Sequence, residues 1–147
     1  MTTDPAIPAD LAAALTQLGV ALREMVAGDP APYAALWHRD ADVTLFGARG
    51  TVERGHDAVT NTFMWVGSRF SGGAIAPEYT VVAHSGDFAY TAGFERGRVS
   101  VDGAEPLDMT IRVTHVLRRL DNRWWLVHRH ADYPPADPRK STTPKGA

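Results

Sequence analysis

The chain has no cysteine, which excludes a disulfide framework and any thiolate metal site. It has no apolar run long enough to span a membrane, and its first residues lack a basic stretch followed by an apolar block. It also lacks a surplus of one charge. Its 15 basic and 17 acidic side chains leave a net charge of −2, unlike the basic surfaces that bind nucleic acid or anionic lipid. We therefore expect a cytoplasmic protein that binds neither a membrane nor nucleic acid.

The N-terminal half has the apolar spacing of helices. At 147 residues the chain is long enough for one domain with one core. A first helix is predicted to be capped by Asp10 and to run to about Ala27. Asp29 is predicted to cap a short second helix that ends near His38, and a third helix is predicted over residues 56–70.

The remainder of the chain is predicted to be mainly strands, because its apolar residues alternate with polar ones. The predicted strands cover residues 43–46, 51–53, 76–84, 88–99 and 107–120, with a last strand after Asn122. A loop is predicted over 71–73. Helices followed by a four-stranded antiparallel meander indicate an α+β fold with the helices on one face of the sheet. The predicted organisation is a flexible start (1–10), one domain (11–134) and a disordered tail (135–147).

The last two predicted strands form a hairpin that contains several histidine and carboxylate side chains. Asp121 and Asn122 suit a tight turn, because Asn and Asp tolerate positive φ. Side chains alternate across a strand, so regular pairing around this turn predicts that four residues share one face. They are the predicted catalytic residues His115, His128, His130 and Asp132.

Three readings of this histidine cluster stay open. General acid–base chemistry would use an imidazole held in one tautomer by Asp132. A zinc or iron site would use the three imidazoles, but a His-x-His pair is a weak signal, and we predict no metal. In the third reading, His128 and His130 only hydrogen-bond the sheet face or a dimer partner.

The opposite face of the hairpin is predicted to carry two arginines that could hold a ligand carboxylate, Arg112 and Arg129. The alternative is that these are surface or interface charges paired with Glu95 or Asp108. The remaining predicted ligand-binding residues are aromatic side chains that would line an apolar cavity. They are Trp37, Phe46, Phe63, Trp65 and Tyr90.

Several stretches resemble the SnoaL-like branch of the nuclear transport factor 2-like superfamily. They are Ala-Gly-Asp at 27–29, Ala-Leu-Trp-His-Arg-Asp-Ala-Asp-Val-Thr-Leu-Phe at 35–46, Gly-His-Asp-Ala at 55–58, Ala-Tyr-Thr at 89–91, Arg-Val-Thr at 112–114 and Trp-Trp-Leu-Val-His-Arg-His at 124–130. The superfamily also includes ketosteroid isomerases, polyketide cyclases and the association domain of calcium/calmodulin-dependent kinase. The resemblance implies a cone-shaped, curved, mixed but mostly antiparallel sheet with three N-terminal helices packed on its concave face, a cystatin-like α+β barrel. It also implies a homodimer and a small organic ligand.

The resemblance does not extend to steroid isomerisation. Phe46 stands where ketosteroid isomerases have their catalytic Asp, and Ala21 stands near their oxyanion-binding Tyr. Scytalone dehydratase, another member, uses histidines and a carboxylate, so dehydration or cyclisation is the analogous chemistry. We therefore expect either an isomerase, dehydratase or cyclase that works without a cofactor, or a non-catalytic ligand-binding or oligomerisation module.

Overall fold

The computed structural model describes residues 7–140, which form three α-helices and a six-stranded sheet. The helices are α1 (Ala9–Val26), α2 (Ala31–Ala34) and α3 (His56–Arg69). The strands are β1 (Thr44–Phe46), β2 (Val52–Arg54), β3 (Phe70–Ser85), β4 (Phe88–Val101), β5 (Leu107–Leu120) and β6 (Arg123–Asp132). The strand order in the sheet is β2-β1-β6-β5-β4-β3.

α1 is an amphipathic helix whose apolar side faces the sheet. Leu11, Leu15 and Leu18 recur at helical spacing and are buried, and the helix packs against β3 and β6. The predicted helix is confirmed, but its predicted cap is wrong. Because α1 begins at Ala9, Asp10 lies inside the first turn, where its carboxylate accepts a hydrogen bond from the backbone N–H of Leu11.

α2 is shorter than predicted, and its predicted cap is wrong. Pro30 is the N-cap, and Asp29 precedes it, although the Asp29 carboxylate accepts the backbone N–H of Ala31 at 3.2 Å. The helix ends at Ala34, because the following backbone pairs with β6: His38 donates to the Leu126 carbonyl, and Leu126 donates to the carbonyl of residue 36. The last turn of the predicted helix is therefore replaced by contact with the sheet.

The antiparallel meander extends further than the apolar pattern indicates. β3, β4, β5 and β6 pair in sequence order, as predicted. The loop predicted over 71–73 is wrong, because β3 begins at Phe70. Gly72 and Gly73 have φ of 131° and 105°, and the pairing with β4 shifts between Phe70 and Gly73. This irregular backbone interrupts the alternation of side chains from which a strand is recognised.

Two short strands complete the sheet beside β6. β1 runs parallel to β6, with Thr44 opposite His128 and Phe46 opposite His130, and β2 pairs antiparallel with β1 at the edge. The result is an unclosed, mixed and mostly antiparallel sheet with the helices at the N-terminal end of the domain. The predicted α+β class is confirmed.

The hairpin between β5 and β6 has the predicted turn. Asp121 and Asn122 have φ of 54° and 59°, as a two-residue turn of this kind requires. Leu117 lies opposite Leu126, also as predicted. The next pair is Val116 with His128, so Val127 is an extra residue on β6 and forms a β-bulge.

The bulge changes which side chains share a face. Beyond it, His115 lies opposite Arg129, and both side chains are buried inside the domain. His128 and His130 therefore lie on the outer face, across the sheet from His115. The prediction that the three histidines and Asp132 share one face is wrong, because one additional residue inverts the side to which every following residue points.

Parts of the two predicted terminal segments have regular structure. α1 begins within the segment predicted to be a flexible start, and Pro138–Lys140 forms a 3₁₀ turn within the predicted tail. Residues 1–6 and 141–147 of these two segments lie outside the described residues. Within residues 7–140, no helix combines the length and the apolar character needed to cross a membrane.

Candidate functional site

A cavity of about 100 Å³ lies between α1, α3 and the inner face of the sheet. Most of the side chains around it are apolar, and the lining also includes the exposed side chains of Trp65 and Arg49. The apolar lining consists of Leu22, Met25, Leu45, Phe63, Val66, Phe70, Ile75, Val101, Met109 and Ile111. Its volume is comparable to the engineered cavity of ~150 Å³ that binds benzene. The space suits a molecule with one ring.

Three buried polar side chains, Tyr33, Glu95 and Arg129, line one side of the cavity, and the buried His115 contacts two of them. The exposed fractions are 0% for Tyr33, 1% for Glu95, 1% for His115 and 7% for Arg129. Arg129 donates from Nη1 to Glu95 Oε2 at 2.6 Å and from Nη2 to Oε1 at 2.8 Å. The hydroxyl of Tyr33 lies 2.7 Å from His115 Nε2, and Arg129 Nη1 lies 3.2 Å from the same nitrogen. We call these four residues the polar floor.

Burial and mutual charge set the ionisation of the polar floor. Burial alone would raise the pKa of Glu95, but the charge and hydrogen bonds of Arg129 outweigh burial and hold that pKa below its ordinary value. Burial and the positive charge of Arg129 together lower the pKa of His115 to about 3, against the opposing charge of Glu95. Burial raises the pKa of Tyr33 well above its ordinary value. At neutral pH the floor therefore holds one ion pair, a neutral imidazole and a neutral phenol.

Close packing of the helices positions Tyr33. Its ring meets Phe63 of α3 edge-on, with centroids 4.7 Å apart. Residue 67 of α3 is glycine where α3 passes the start of α2, and a Cβ there would overlap the ring of Pro30. The glycine lets α2 approach α3, so that Tyr33 reaches His115 on the middle of the sheet.

The structure separates the four predicted catalytic residues. His115 belongs to the polar floor through its contact with Tyr33, although its own side chain does not line the cavity. His128 accepts or donates a hydrogen bond with the Thr44 hydroxyl at 2.7 Å, and His130 is exposed. Asp132 forms an ion pair with Arg112 at 2.6 Å, with both side chains about half exposed. The pairing of a histidine with Asp132 that the sequence suggested is replaced by this arginine contact.

The predicted ligand-binding residues divide between the inside and the outside. Phe63, Trp65 and Arg129 line the cavity. Trp37 is buried in the core and stacks on Phe63 with centroids 5.8 Å apart. The other three are exposed: Phe46 (41%), Tyr90 (45%) and Arg112. The shared face predicted for Arg112 and Arg129 is wrong for the same reason as the shared histidine face, the bulge at Val127.

Sequence reasoning named Glu95 only as a possible surface or interface partner of an arginine, and did not assign Tyr33 or Glu95 to the site. Glu95 had a detectable signal, because on β4 it has the same strand parity as the buried Ala89, Thr91 and Val99, and a lone carboxylate in such a row needs a buried partner. Tyr33 had none. It lies in a four-residue helix, and its contact with His115 is 82 residues away in sequence.

Within the described residues 7–140, no three His, Asp or Glu side chains converge in a way that would hold a metal ion. His128 and His130 lie near each other around Phe46, with ring centroids 5.4 Å from it in both cases. Phe46 offers no ligand atom, and His115 is on the other face of the sheet.

Comparison with known proteins identifies the fold family. The model of the SnoaL-like domain matches residues 13–136, which is most of the chain. None of the curated proteins with which the sequence was compared matches it.

Solved structures show the same fold at low sequence identity. A candidate dehydratase of the nuclear transport factor 2-like family from Streptomyces avermitilis superposes with a TM-score of 0.72 and 18% identity, over 86% of this chain and 95% of that one. A candidate calcium/calmodulin-dependent protein kinase II association domain from Xanthomonas campestris gives 0.71 and 20%, over 91% and 94%. A ketosteroid isomerase-like protein from Erwinia carotovora atroseptica gives 0.71 and 16%, over 90% and 100%. Identities this low establish the fold and not the activity.

Proposed function

Because the chain belongs to the SnoaL-like domain family, we propose that it binds a small organic molecule in the cavity between α1, α3 and the sheet. The observation that carries the proposal is the combination of apolar walls with the buried polar floor of Tyr33, Glu95, His115 and Arg129. Ligand sites are typically concave and apolar, with a few polar groups that fix the orientation of the ligand. The ligand therefore has an apolar body and one polar end.

Blocking the cavity tests this function. Val66 and Met64 lie on α3, but Val66 lines the cavity, whereas Met64 is exposed and does not. Toluene and phenol are suitable probes, since each has one ring. We expect at least one of them to bind with one-to-one stoichiometry in calorimetry. Val66→Trp should weaken binding by at least about tenfold by filling the space, and Met64→Trp should not. Equal binding by both variants would exclude this cavity as the site.

A catalytic version of the function is the second candidate, and the 2.7 Å contact between the Tyr33 hydroxyl and His115 Nε2 favours it. His115 and Glu95, the two candidate proton acceptors, are nevertheless poorly suited to accept a proton at neutral pH. The pKa of His115 is lowered to about 3, chiefly by burial, and Glu95 is held in its pair with Arg129. Binding is therefore the better supported function, and the predicted dehydratase, isomerase or cyclase activity stays a prediction.

A hydrogen-exchange assay distinguishes a protein that only binds its ligand from one that also catalyses proton transfer. An acid–base site of the predicted kind would accelerate deuterium exchange at the methyl group of acetophenone in D₂O, which NMR follows directly. We expect the exchange rate to equal that of buffer. Acceleration that His115→Gln abolishes would establish the catalytic version.

We also propose that two copies of the chain pair through the outer face of the sheet. Phe88 and Tyr90 on β4 and Phe46 on β1 are exposed apolar side chains. They lie on the same face but on strands separated by β6 and β5, so the apolar surface extends across the sheet. Exposed apolar side chains on one face are typical of association sites. The cytoplasmic location and the absence of a cofactor, both expected from the sequence, stay predictions.

A further inference from the structure

Hydrogen-bond polarity in the polar floor restricts the ligand further than size and apolarity do. A guanidinium can only donate, and Arg129 Nη1 lies 3.2 Å from His115 Nε2. Nε2 must therefore present its lone pair, and the single proton of the neutral imidazole is on Nδ1. The buried position of His115 beside a fixed cation agrees with a neutral ring.

The tautomer of His115 decides what the phenol of Tyr33 does. Its oxygen is 2.7 Å from Nε2, which holds no proton, so the phenolic proton must point toward that nitrogen. The Tyr33 oxygen then has only lone pairs left for other partners. Arg129 Nη1, 3.5 Å from this oxygen, is directed more closely at Glu95, 2.6 Å away.

The cavity lining therefore presents acceptors and donors together. Tyr33, Glu95 and Arg129 line the cavity. The phenol oxygen and the carboxylate accept, and the guanidinium donates. A ketone would satisfy only the guanidinium, and a ligand carboxylate would place a second negative charge beside Glu95, whose own charge already neutralises Arg129.

Resting on the ligand-binding function proposed above, we propose that the ligand is a neutral molecule that places a hydroxyl group on the polar floor. A hydroxyl donates to Tyr33 or Glu95 and accepts from Arg129 at the same time. The ligand class is thus an alcohol or a phenol with an apolar body. A carboxylic acid and a simple ketone are disfavoured, which differs from the carboxylate recognition expected of Arg129 from the sequence.

Matched single-ring probes test the inference on the unaltered protein. Three of the probes share one carbon skeleton. Ethylbenzene has no polar group, acetophenone has a hydrogen-bond acceptor only, and 1-phenylethanol has both a donor and an acceptor. Benzoate is the fourth probe and carries a negative charge. We expect calorimetry to show 1-phenylethanol binding roughly tenfold more tightly than acetophenone or ethylbenzene, with benzoate weakest. Acetophenone or benzoate binding as tightly as the alcohol would overturn the inference but leave the ligand-binding function standing. Absence of binding by all four probes would overturn both.

Two tyrosine variants test whether Tyr33 causes the preference for the alcohol over the ketone. Tyr33→Phe removes the accepting oxygen, so the preference for 1-phenylethanol over acetophenone should fall severalfold. Tyr90→Phe, on the exposed outer face, should retain the full preference. If Tyr33→Phe does not fold, the preference measured on the unaltered protein decides alone. A folded Tyr33→Phe protein with an unchanged preference for the alcohol would count against the assigned role of the phenol.

Discussion

At the scale of single residues, the pair formed by Glu95 and Arg129 is the strongest electrostatic feature of the domain. Two hydrogen bonds of 2.6 and 2.8 Å join charges that are almost fully buried. A buried pair adds little net stability, because desolvation offsets the attraction, but removal of one partner leaves an uncompensated charge in a medium of low dielectric constant. The pair therefore maintains the geometry of the floor more than it stabilises the fold.

Glu95→Gln should test this argument directly. The amide keeps the shape of the side chain but leaves the guanidinium of Arg129 buried without a counter-charge, so the free energy of unfolding should fall by about 3 kcal/mol or more. Asp132→Asn is the matched control, because Asp132 forms a similarly close pair with Arg112 in the same sheet while exposed to solvent. It should cost much less, because solvent screens an exposed ion pair. Urea unfolding gives both values, and equal losses would contradict the burial argument.

His115 should make the protein less stable in weak acid. Burial and the charge of Arg129 lower the pKa of His115 to about 3 in the folded state, whereas an unfolded imidazole titrates near ~6.5. Between these values the unfolded state binds more protons, so the free energy of unfolding falls as the pH drops below ~6.5, by up to about 1.4 kcal/mol per pH unit from this residue.

The measurement is chemical unfolding of the unaltered protein and of His115→Gln at about pH 7, 6 and 5. Values near pH 8, above the titration range, give the effect of the substitution itself. We expect the variant to show a shallower decline with acidity, since it has no imidazole to protonate. Identical slopes in the two proteins would mean that His115 is not the buried neutral group described above.

The residue scale also shows what the sequence could predict about the site. Phe63, Trp65 and Arg129 were predicted to contact the ligand, and all three line the cavity. Their contact with a ligand stays a prediction. Phe46 and Tyr90 are also aromatic, but they lie on the exposed outer face of the sheet. Composition identifies residues suited to a pocket, but the face of the strand decides whether they reach it.

At the scale of elements, the bulge at Val127 is the feature that places the polar floor. The turn and the first pairs of the hairpin were predictable, because Asp121 and Asn122 specify positive φ and tight pairing. The bulge was not, because Leu126 and Val127 are both apolar and both buried, and no residue type marks the extra position. One unpredicted residue was enough to exchange Arg129 with His128 and His130.

Deletion of Val127 should remove the bulge and keep the polar floor. Without this residue the pairing beyond it is unchanged, and Arg129 stays opposite His115 and points inward to Glu95. The variant loses one buried side chain and the bend of the strand, so we expect a cooperative thermal transition in circular dichroism at a lower temperature, with a loss of about 1–3 kcal/mol. Deletion of Glu105, an exposed residue in the connection between β4 and β5, is the control and should leave the transition nearly unchanged. Loss of the cooperative transition in the Val127 deletion alone would show that the fold needs the bulge itself and not only the pairing beyond it.

At the scale of the whole molecule, the local sequence pattern predicted the meander, whereas the pairing of β1 with β6 and the cavity depend on contacts between residues far apart in sequence. β4, β5 and β6 alternate regularly and were predicted from the sequence. The parallel pairing of β1 with β6 was not predicted, because it joins a three-residue strand to one more than eighty positions later. The cavity depends on that same long-range closure, since Leu45 of β1 and Arg129 of β6 are neighbours in its wall.

Self-association is the prediction that belongs to the whole molecule. The outer face of the sheet exposes Phe46, Phe88 and Tyr90, and pairing of two copies there would bury this apolar surface within a closed two-fold assembly. Sedimentation equilibrium at micromolar concentration should give a mass of about 32 kDa, twice the 16.0 kDa of one chain. Tyr90→Glu should weaken the dimer at least about tenfold, because it would bury a charge in the interface. Val20→Glu adds the same charge at an exposed position on α1, away from the sheet face, and should leave the dimer intact. A monomeric unaltered protein, or a dimer that only Val20→Glu dissociates, would show that this face does not mediate association.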